Sequence, residues 1–272
     1  MTPWLRRWQS ATDTFSEFTY SFALVNELVM LGNPPVVSVP VFPSLIQEGR
    51  ATGGYDVMLD RPGMPLFLQF KLSKQVTGRR AREFQQGLFG APFYRMYIRA
   101  RRSSRQHELL LELERTNQGI VYYCGPVFHT LLELNSHYRQ RTIAQYSRFV
   151  KPSALPPILD NEEHWLSFRE AAGGPVSFFS PEGVKLELDE RPVLERLYGD
   201  FRHSENVPLQ ETLAKLSTWL TEEAGSDATR GIGEELPTLS ETALTRIALL
   251  SHTVLNSTFC ILQPRAIRTG LP

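Results

Sequence analysis

The sequence predicts an α/β fold in which helices flank a mixed sheet, followed by a mostly helical C-terminal subdomain. A helical period near the N-terminus precedes three apolar or β-branched runs, and a second helical period with a further apolar run follows them. From about residue 170 the pattern changes to one short hairpin and two long helical periods. We therefore expect one domain over residues 1–170 and a smaller one over residues 171–272.

The first predicted elements are a helix and three strands. Residues 15–31 favour a helix, because Ser and Thr precede it as candidate caps and Gly-Asn-Pro follows it as a stop signal. Short runs rich in β-branched or apolar residues predict strands at 36–42, 55–59 and 66–72. Turn-forming residues fill positions 60–65, so the last two strands are expected to form a hairpin.

The later elements follow the same periodicities. Strands are predicted at 93–99, 120–124, 148–150 and 165–168, and helices at 106–115 and 128–138. A second hairpin is predicted from strands 176–179 and 184–188, which flank Ser-Pro-Glu-Gly. Helices at 209–223 and 239–262 are separated by a polar, Gly-containing loop. Their apolar faces predict core packing, or contacts with a second copy or a regulatory protein.

The charges cancel overall but are unevenly distributed. There are 29 basic and 29 acidic residues, yet residues 71–105 hold ten bases and one acid, whereas residues 182–241 hold fourteen acids and six bases. A local positive excess is typical of a surface that contacts nucleic-acid phosphates, although a solvated basic segment gives the same pattern. The candidate phosphate contacts are Lys74, Arg79, Arg80, Arg82, Arg101, Arg102 and Arg105.

Cysteine usage and hydropathy indicate the compartment. Cys124 and Cys260 lie far apart in apolar runs, which predicts reduced, buried thiols rather than a disulfide framework or a zinc ribbon. The first 13 residues lack the apolar core of a signal peptide, and the apolar stretch at 247–262 is too polar to span a bilayer. We expect a soluble cytoplasmic protein without a membrane partner.

The first predicted hairpin brings three polar side chains together. Successive side chains of a strand point to opposite faces, so Gln69 and Lys71 share one face. If the turn is centred between residues 62 and 63, opposed residue numbers sum to 125, and Asp56 faces Gln69 at about 5 Å. Such groups are costly to bury unless they are paired or used. The alternatives are a functional site and an internal ion pair between Asp56 and Lys71.

One motif consists of Asp56, twelve further residues and then Gln69-Phe70-Lys71. It resembles the D…(D/E/Q)xK signature of the PD-(D/E)xK nuclease superfamily. Glutamine in the second acidic position is similar to the Mrr-like and Holliday-junction-resolvase-like branches. The order of predicted elements matches that restriction-endonuclease-like fold over about residues 14–125. The resemblance implies metal-dependent cleavage of phosphodiester bonds, with DNA as the expected substrate and phage defence or a mobile element as the expected setting.

The resemblance also implies a ligand set and a catalytic lysine. Asp56, the amide oxygen of Gln69 and the backbone carbonyl of Phe70 would bind Mg²⁺ or Mn²⁺. Lys71 would hold or deprotonate the attacking water, or stabilise the charge that grows on the phosphate. Because Gln69 replaces a carboxylate, the negative charge of the site falls by one. That departure leaves open a catalytically inactive protein that binds nucleic acid or scaffolds a defence complex.

A further acidic ligand is expected from the helix that precedes the hairpin. Glu17 is preferred, because Thr19 and Tyr20 beside it are also polar. Glu27, which is interpreted as a solvated helix residue, and Glu48 are the alternatives. Gln106 is interpreted as a surface residue, with a phosphate contact as the alternative. Five aromatic residues within the basic stretch are expected to pack in the core rather than to stack on bases: Phe84, Phe89, Phe93, Tyr94 and Tyr97.

Overall fold

A computed structural model shows an α/β protein with one mixed and one antiparallel sheet, flanked by helices. It describes residues 14–31, 63–90, 92–99, 105–116, 119–180, 182–202, 208–229, 241–255 and 257–263. The predicted strands at 36–42 and 55–59 lie outside these ranges, as do Glu48, Asp56, Arg101 and Arg102.

Seven helices and nine strands are present in the described part of the chain. The helices are α1 (Glu17–Leu31), α2 (Arg82–Gln85), α3 (Gln106–Arg115), α4 (Leu131–Gln140), α5 (Val193–Arg202), α6 (Leu209–Thr229) and α7 (Glu241–Leu255). The strands are β1 (Met64–Phe70), β2 (Ser73–Val76), β3 (Phe93–Ile98), β4 (Ile120–Pro126), β5 (Ser147–Val150), β6 (His164–Phe168), β7 (Val176–Ser180), β8 (Glu182–Leu186) and β9 (Thr258–Leu262).

The chain divides into two compact units. The described residues of the first unit fall within 14–27, 70–111 and 122–193, and those of the second within 28–31, 63–69, 112–121 and 194–263. Each unit therefore gathers segments that are distant in sequence. The hairpin of β7 and β8 belongs to the first unit, whereas α5, α6 and α7 belong to the second.

The first unit contains a five-stranded antiparallel sheet with the strand order β2-β3-β6-β7-β8. One of its faces carries large apolar side chains that are almost fully buried, including Met96, Leu166, Phe168 and Phe178. The pairing of β7 with β8 confirms the predicted second hairpin. These buried side chains form the core of the first unit and hold the strands of the sheet in place.

The second sheet has the strand order β5-β4-β1-β9. Gly119 lies beside Pro65, and Gly125 lies beside Lys71, so residue numbers increase together along β4 and β1 and these strands are parallel. The other pairs, β4 with β5 and β1 with β9, are antiparallel. A mixed sheet, as predicted, is the result.

The last strand corrects the predicted C-terminal helix. Helix α7 ends at Leu255, and the five residues from Thr258 form β9 instead of continuing the helix to residue 262. A short apolar run such as TFCIL is compatible with either a buried strand or a buried helix, so periodicity alone does not decide. The aromatic ring of Phe259 packs on Phe67 of β1, at 5.5 Å between ring centroids, which favours the strand.

The register of β9 also changes the expected surroundings of Gln69. Paired residue numbers run from Met64↔Leu262 to Leu68↔Thr258, so the same register places Ser257 opposite Gln69. The Ser257 hydroxyl donates a hydrogen bond to Gln69 Oε1 at 3.3 Å. Ser257 therefore takes the place that the hairpin prediction assigns to Asp56.

Other boundaries differ only slightly from those predicted. Helix α4 begins at Leu131 rather than at 128, because Thr130 caps it: its hydroxyl accepts from Glu133 N at 3.2 Å, and Glu133 accepts from Thr130 N in return. Strand β1 ends at Phe70 instead of 72, and β2 and α5 were not predicted. Cys124 and Cys260 are buried and unpaired with each other, as expected.

Helices α6 and α7 pack together in the second unit. Their buried faces include Leu213, Leu216 and Leu220 of α6 and Ile247 and Leu250 of α7, each of which is fully shielded from water. These side chains recur at three- and four-residue intervals, as on one face of a helix. The interpretation of these faces as core is thus confirmed. In the described ranges, no helix is both long enough and apolar enough to cross a bilayer.

Gly119 permits the close approach of β4 and β1, and its replacement tests this packing. A Cβ at Gly119 would lie 2.5 Å from Phe67 Cε2, and the Phe67 ring is fully buried. We predict that Gly119→Ala lowers the free energy of unfolding by about 1–3 kcal/mol, because the ring must leave its position. Urea denaturation followed by circular dichroism measures this change.

Gly78→Ala is the matched control, because a Cβ at this exposed position has no atom within 4 Å. We expect it to change the free energy of unfolding by less than about 1 kcal/mol. Equal effects of the two substitutions would contradict the described packing of β1 against Gly119.

Candidate functional site

Helix α1 is fixed in the first unit by polar side chains on its buried face. Ser16 caps its start, with Oγ accepting from Thr19 N at 3.0 Å. The hydroxyl of Tyr20 donates to Ser147 Oγ at 2.8 Å, and the Tyr20 ring packs edge-on against Phe70. Since Tyr20 lies one helical turn after Glu17, these contacts hold the first turn of α1 against the end of β1.

Glu27 anchors the other half of the same face. It is 7% exposed, and its carboxylate accepts hydrogen bonds from Ile143 N at 2.7 Å and Ala144 N at 3.0 Å. The interpretation of Glu27 as a solvated residue is therefore wrong. Glu27 lies seven residues after Tyr20, two turns along the same helix face, so its burial could have been predicted from the sequence. Both of its oxygens stabilise the chain between α4 and β5.

Glu17 lies beside Lys71 and Arg99. Its carboxylate accepts a hydrogen bond from the backbone N–H of Leu72 and interacts electrostatically with both cations. Glu17 itself remains open to solvent, as does Arg99. The structure thus brings the preferred helix acid together with the predicted catalytic lysine.

Lys71 is buried, and its ammonium has a defined partner. The side chain is 8% exposed, and Nζ donates to Gln106 Oε1 at 3.2 Å. Its backbone N–H donates to Cys124 O at 2.9 Å, which keeps the chain beside β4 after β1 has ended. Gln106 is 4% exposed, so its interpretation as a surface residue is wrong. We name Glu17, Lys71, Arg99 and Gln106 the Lys71 cluster.

The burial of Gln106 could have been predicted from the sequence. Leu109, Leu110 and Leu113 follow it at intervals of three, four and seven residues, and all three are buried. These intervals define one face of a helix, so Gln106 belongs to the buried face of α3 at its first residue. An amide on that face requires a polar partner, and Lys71 is that partner.

The electrostatics of the Lys71 cluster shift both titratable partners. Burial lowers the pKa of Lys71 to about 8; the carboxylate of Glu17 opposes this shift, and Arg99 adds to it. Partial removal from water raises the pKa of Glu17, while Lys71, Arg99 and the Leu72 N–H act in the opposite direction. An ammonium with a pKa near 8 changes its protonation close to neutral pH, as catalytic lysines do.

The structure places the other predicted ligands less favourably. Gln69 belongs to the second unit, is fully buried and binds Ser257 through its amide oxygen. Phe70 ends β1 in the first unit, next to Lys71. Asp56 lies outside the described residues. Among the predicted site residues, only Glu17 and Lys71 are thus brought together by described contacts.

The predicted phosphate contacts are exposed wherever the structure describes them. Lys74 lies on β2, Arg79 and Arg80 lie in the turn after it, and Arg82 opens α2. Arg79 lies over the ring of Phe84 at 5.9 Å. Arg105, at the start of α3, pairs with Glu108 at 3.6 Å. All of these described cations are in the first unit, as is the Lys71 cluster.

Arg95, in contrast, is committed to a structural network. Its guanidinium binds the fully buried Glu83 at two points, and Glu83 also accepts from Trp165 Nε1 at 2.9 Å and from the Ser167 hydroxyl. Although burial alone would raise the pKa of Glu83, these hydrogen bonds lower it to about 2. The one acid of the basic stretch therefore ties α2 to β3 and β6.

The aromatic residues of the basic stretch mostly pack in the core, as expected. Phe89, Phe93 and Tyr94 are buried, and Phe84 is half-buried. Tyr97 is 40% exposed and packs on Trp165 at 6.2 Å between ring centroids. Tyr97 is the one member of this set with a largely exposed ring.

The Lys71 cluster meets part of the requirement of a hard cation. Mg²⁺ in proteins is bound by one or two carboxylates and substrate phosphates, and it keeps several waters. Glu17 supplies one solvent-accessible carboxylate, and the described residues contain no group of three His, Cys, Asp or Glu that could hold a metal ion. Asp56, the other carboxylate that the resemblance implies, lies outside the described ranges.

Comparison with known proteins finds no match to a family model, a curated protein or a solved structure.

The coupling of Lys71 to its neighbours predicts opposite effects of two substitutions. Since Glu17 raises the pKa of Lys71 and Arg99 lowers it, Glu17→Gln should lower this pKa below about 8, whereas Arg99→Gln should raise it. NMR titration of ¹³C-labelled lysine side chains measures both changes. The Lys71 signal is assigned by its loss in Lys71→Met.

Glu187→Gln is the matched control, because Glu187 is exposed just after β8, the edge strand that β6 and β7 separate from β3 and Arg99. It should leave the midpoint of Lys71 unchanged. A Lys71 midpoint in the ordinary range of lysine, or one that does not respond to Glu17→Gln, would contradict the described contacts.

Proposed function

We propose that the protein is a metal-dependent deoxyribonuclease of the PD-(D/E)xK type, which hydrolyses phosphodiester bonds at the Lys71 cluster. The observation that carries this proposal is a buried lysine whose ammonium donates to a buried amide and interacts electrostatically with a solvent-accessible carboxylate of α1. Burying an ammonium in this way is costly unless the group is used or satisfied. The neighbouring cations supply a surface for a polyanion.

Lys71 is proposed to act on the reacting phosphate or on the attacking water. In its protonated form it stabilises the negative charge that grows on the phosphate oxygens in the transition state. With a pKa of about 8, it also exchanges a proton near neutral pH. Gln106 Oε1 accepts one hydrogen of Nζ and so orients the ammonium. An ammonium has three hydrogens, and the one hydrogen bond that Nζ makes among the described residues leaves two for substrate and water.

Glu17 is proposed as the metal ligand from α1; the resemblance implies Asp56 as a further carboxylate, which lies outside the described residues. A bound Mg²⁺ or Mn²⁺ would supply Lewis-acid chemistry and activate water. The backbone N–H of Leu72 also favours the charged form of the Glu17 carboxylate, which has further lone pairs for a cation. The position of Glu17 in the first turn of α1 also suits a negative charge, because the helix N-terminus is positive.

Arg99 and the exposed cations are proposed to bind the DNA backbone. Arg99 lies beside Glu17 and Lys71 and is open to solvent, so its guanidinium can contact the reacting phosphate. Lys74, Arg79 and Arg80 are exposed at β2 and the turn after it. Contacts of this kind are sensitive to salt and carry no base sequence information.

A second candidate is a nuclease-like protein that binds DNA without cleaving it. The hydrogen bond between Ser257 and Gln69 favours this candidate, because it engages the oxygen that a metal would need. The described residues near Lys71 also include only one carboxylate, that of Glu17. Binding with no turnover in any divalent metal would support this candidate over the first.

Cleavage assays separate these candidates. We predict that the full chain cleaves plasmid or linear duplex DNA with Mg²⁺ or Mn²⁺ but not with EDTA. Lys71→Met should lower the rate by about a hundredfold or more, because charge stabilisation and proton transfer are lost together. Glu17→Gln should lower the rate and raise the metal concentration needed for half-maximal activity. Electrophoresis of end-labelled DNA measures the rates.

Lys185→Met and Glu187→Gln are the matched controls, since both residues are exposed and lie in or just after β8, which β6 and β7 separate from β3. They should cleave like the unsubstituted protein. Metal-dependent cleavage that survives Lys71→Met would contradict the assignment of the site. Salt-sensitive DNA binding without cleavage in Mg²⁺ or Mn²⁺ would replace the first candidate by the second.

A further inference from the structure

The first unit has a cleft whose lining residues take no part in the proposed cleavage. Its volume is about 470 Å³, within the range of small-molecule sites. The lining includes the buried Tyr94, the half-buried Val127 and four exposed residues: Gln145, Tyr146, Arg169 and Glu170. It thus combines two aromatic rings with an amide, a carboxylate and a guanidinium.

Both tyrosine rings are held in place from behind. The Tyr94 ring stacks on Phe168 at 6.5 Å between centroids, and its hydroxyl lies 3.5 Å from Gln75 Nε2. The Tyr146 ring packs on His137 at 4.2 Å, and His137 packs in turn on Phe128 at 4.9 Å. Rings that are already ordered lose little conformational entropy when a ligand packs on them.

A buried arginine fixes one wall of the cleft. Arg148 is 3% exposed, and its guanidinium donates to the carbonyl oxygens of Ala171 at 3.1 Å, Glu170 at 3.5 Å and Gly174 at 3.4 Å. Gly173 between them has a φ of +71°, which glycine adopts readily. The segment that carries Arg169 and Glu170 is therefore a shaped wall rather than a loose loop.

The polar groups of the cleft define a class of ligand. An amide and a carboxylate together offer two N–H donors and several acceptors to the edge of a nitrogen heterocycle. The Tyr146 ring, which is 40% exposed, offers a face on which a planar base stacks, and the buried Tyr94 lies in the wall of the cleft. Arg169 is exposed and makes no hydrogen bond or ion pair within the described part of the chain, so its guanidinium can bind a phosphate.

We infer that this cleft binds a nucleotide, with the base against Tyr146 and Tyr94 and the phosphate at Arg169. Gln145 and Glu170 face the edge of the base. The nucleotide is either a free mononucleotide or one residue of a single-stranded nucleic acid, since both present the same base and phosphate. The inference goes beyond the proposed cleavage and does not depend on it, because no residue of the Lys71 cluster lines the cleft.

Calorimetric titration of the full chain in EDTA tests the inference without cleavage. The probes are the four nucleoside monophosphates, the corresponding nucleosides and short single-stranded oligonucleotides. Tyr146→Ala should weaken binding of nucleoside and nucleotide alike by about tenfold or more, because the stacking face is removed. Arg169→Gln should remove the advantage of the monophosphate over its nucleoside and leave nucleoside binding unchanged.

Tyr138→Ala and Arg139→Gln are the matched controls, because both residues are exposed on α4 and neither lines the cleft. They and Lys71→Met should bind like the unsubstituted protein, which separates this test from that of cleavage. Saturable binding of monophosphates identifies a free nucleotide, whereas binding of oligonucleotides alone, with the same dependence on Tyr146 and Arg169, identifies a strand. The inference is overturned if no probe binds at millimolar concentration or if Tyr146→Ala binds normally.

Discussion

The burial of the Lys71 ammonium is the constraint on which the proposed function depends. A lysine that is 8% exposed loses most of its hydration, and its pKa falls to about 8 as a consequence. One neutral acceptor, Gln106 Oε1, and one carboxylate, Glu17, offset that loss. Both partners come from helices whose buried faces are fixed by other contacts, so the geometry of the ammonium is set by the fold of the first unit.

Two other carboxylates of the first unit, those of Glu83 and Glu27, accept hydrogen bonds within the protein and differ in this from the Glu17 carboxylate of the Lys71 cluster. Glu83 accepts hydrogen bonds from Arg95, Trp165 and Ser167, so its charge is neutralised within the protein. Glu27 is likewise saturated by two backbone N–H groups. Glu17 differs from both, because it stays open to solvent while it interacts electrostatically with a buried cation. A carboxylate that is open to solvent and close to a buried cation is more typical of a ligand-binding residue than of a core residue.

Local periodicity predicted most of the described elements, because the buried faces of α1, α3 and α6 and the hairpin of β7 and β8 repeat over many residues. It could not predict pairing between segments that are distant in sequence. Strand β9 was therefore not predicted, and neither was Ser257 as the residue opposite Gln69. For the candidate site, the spacing of α3 could have placed Gln106 on a buried face, although it was interpreted as a surface residue, and only the fold showed that Lys71 is its partner.

Anomalous diffraction from crystals of the full chain soaked in Mn²⁺ tests the central claim most directly. The claim is that Glu17 and Lys71 belong to one metal-dependent site, so we predict a Mn²⁺ peak about 2 Å from a Glu17 carboxylate oxygen, next to the Lys71 side chain. The same crystals of Glu17→Gln should lose that peak. A fully occupied Mn²⁺ peak elsewhere, with none beside Glu17, would contradict the claim.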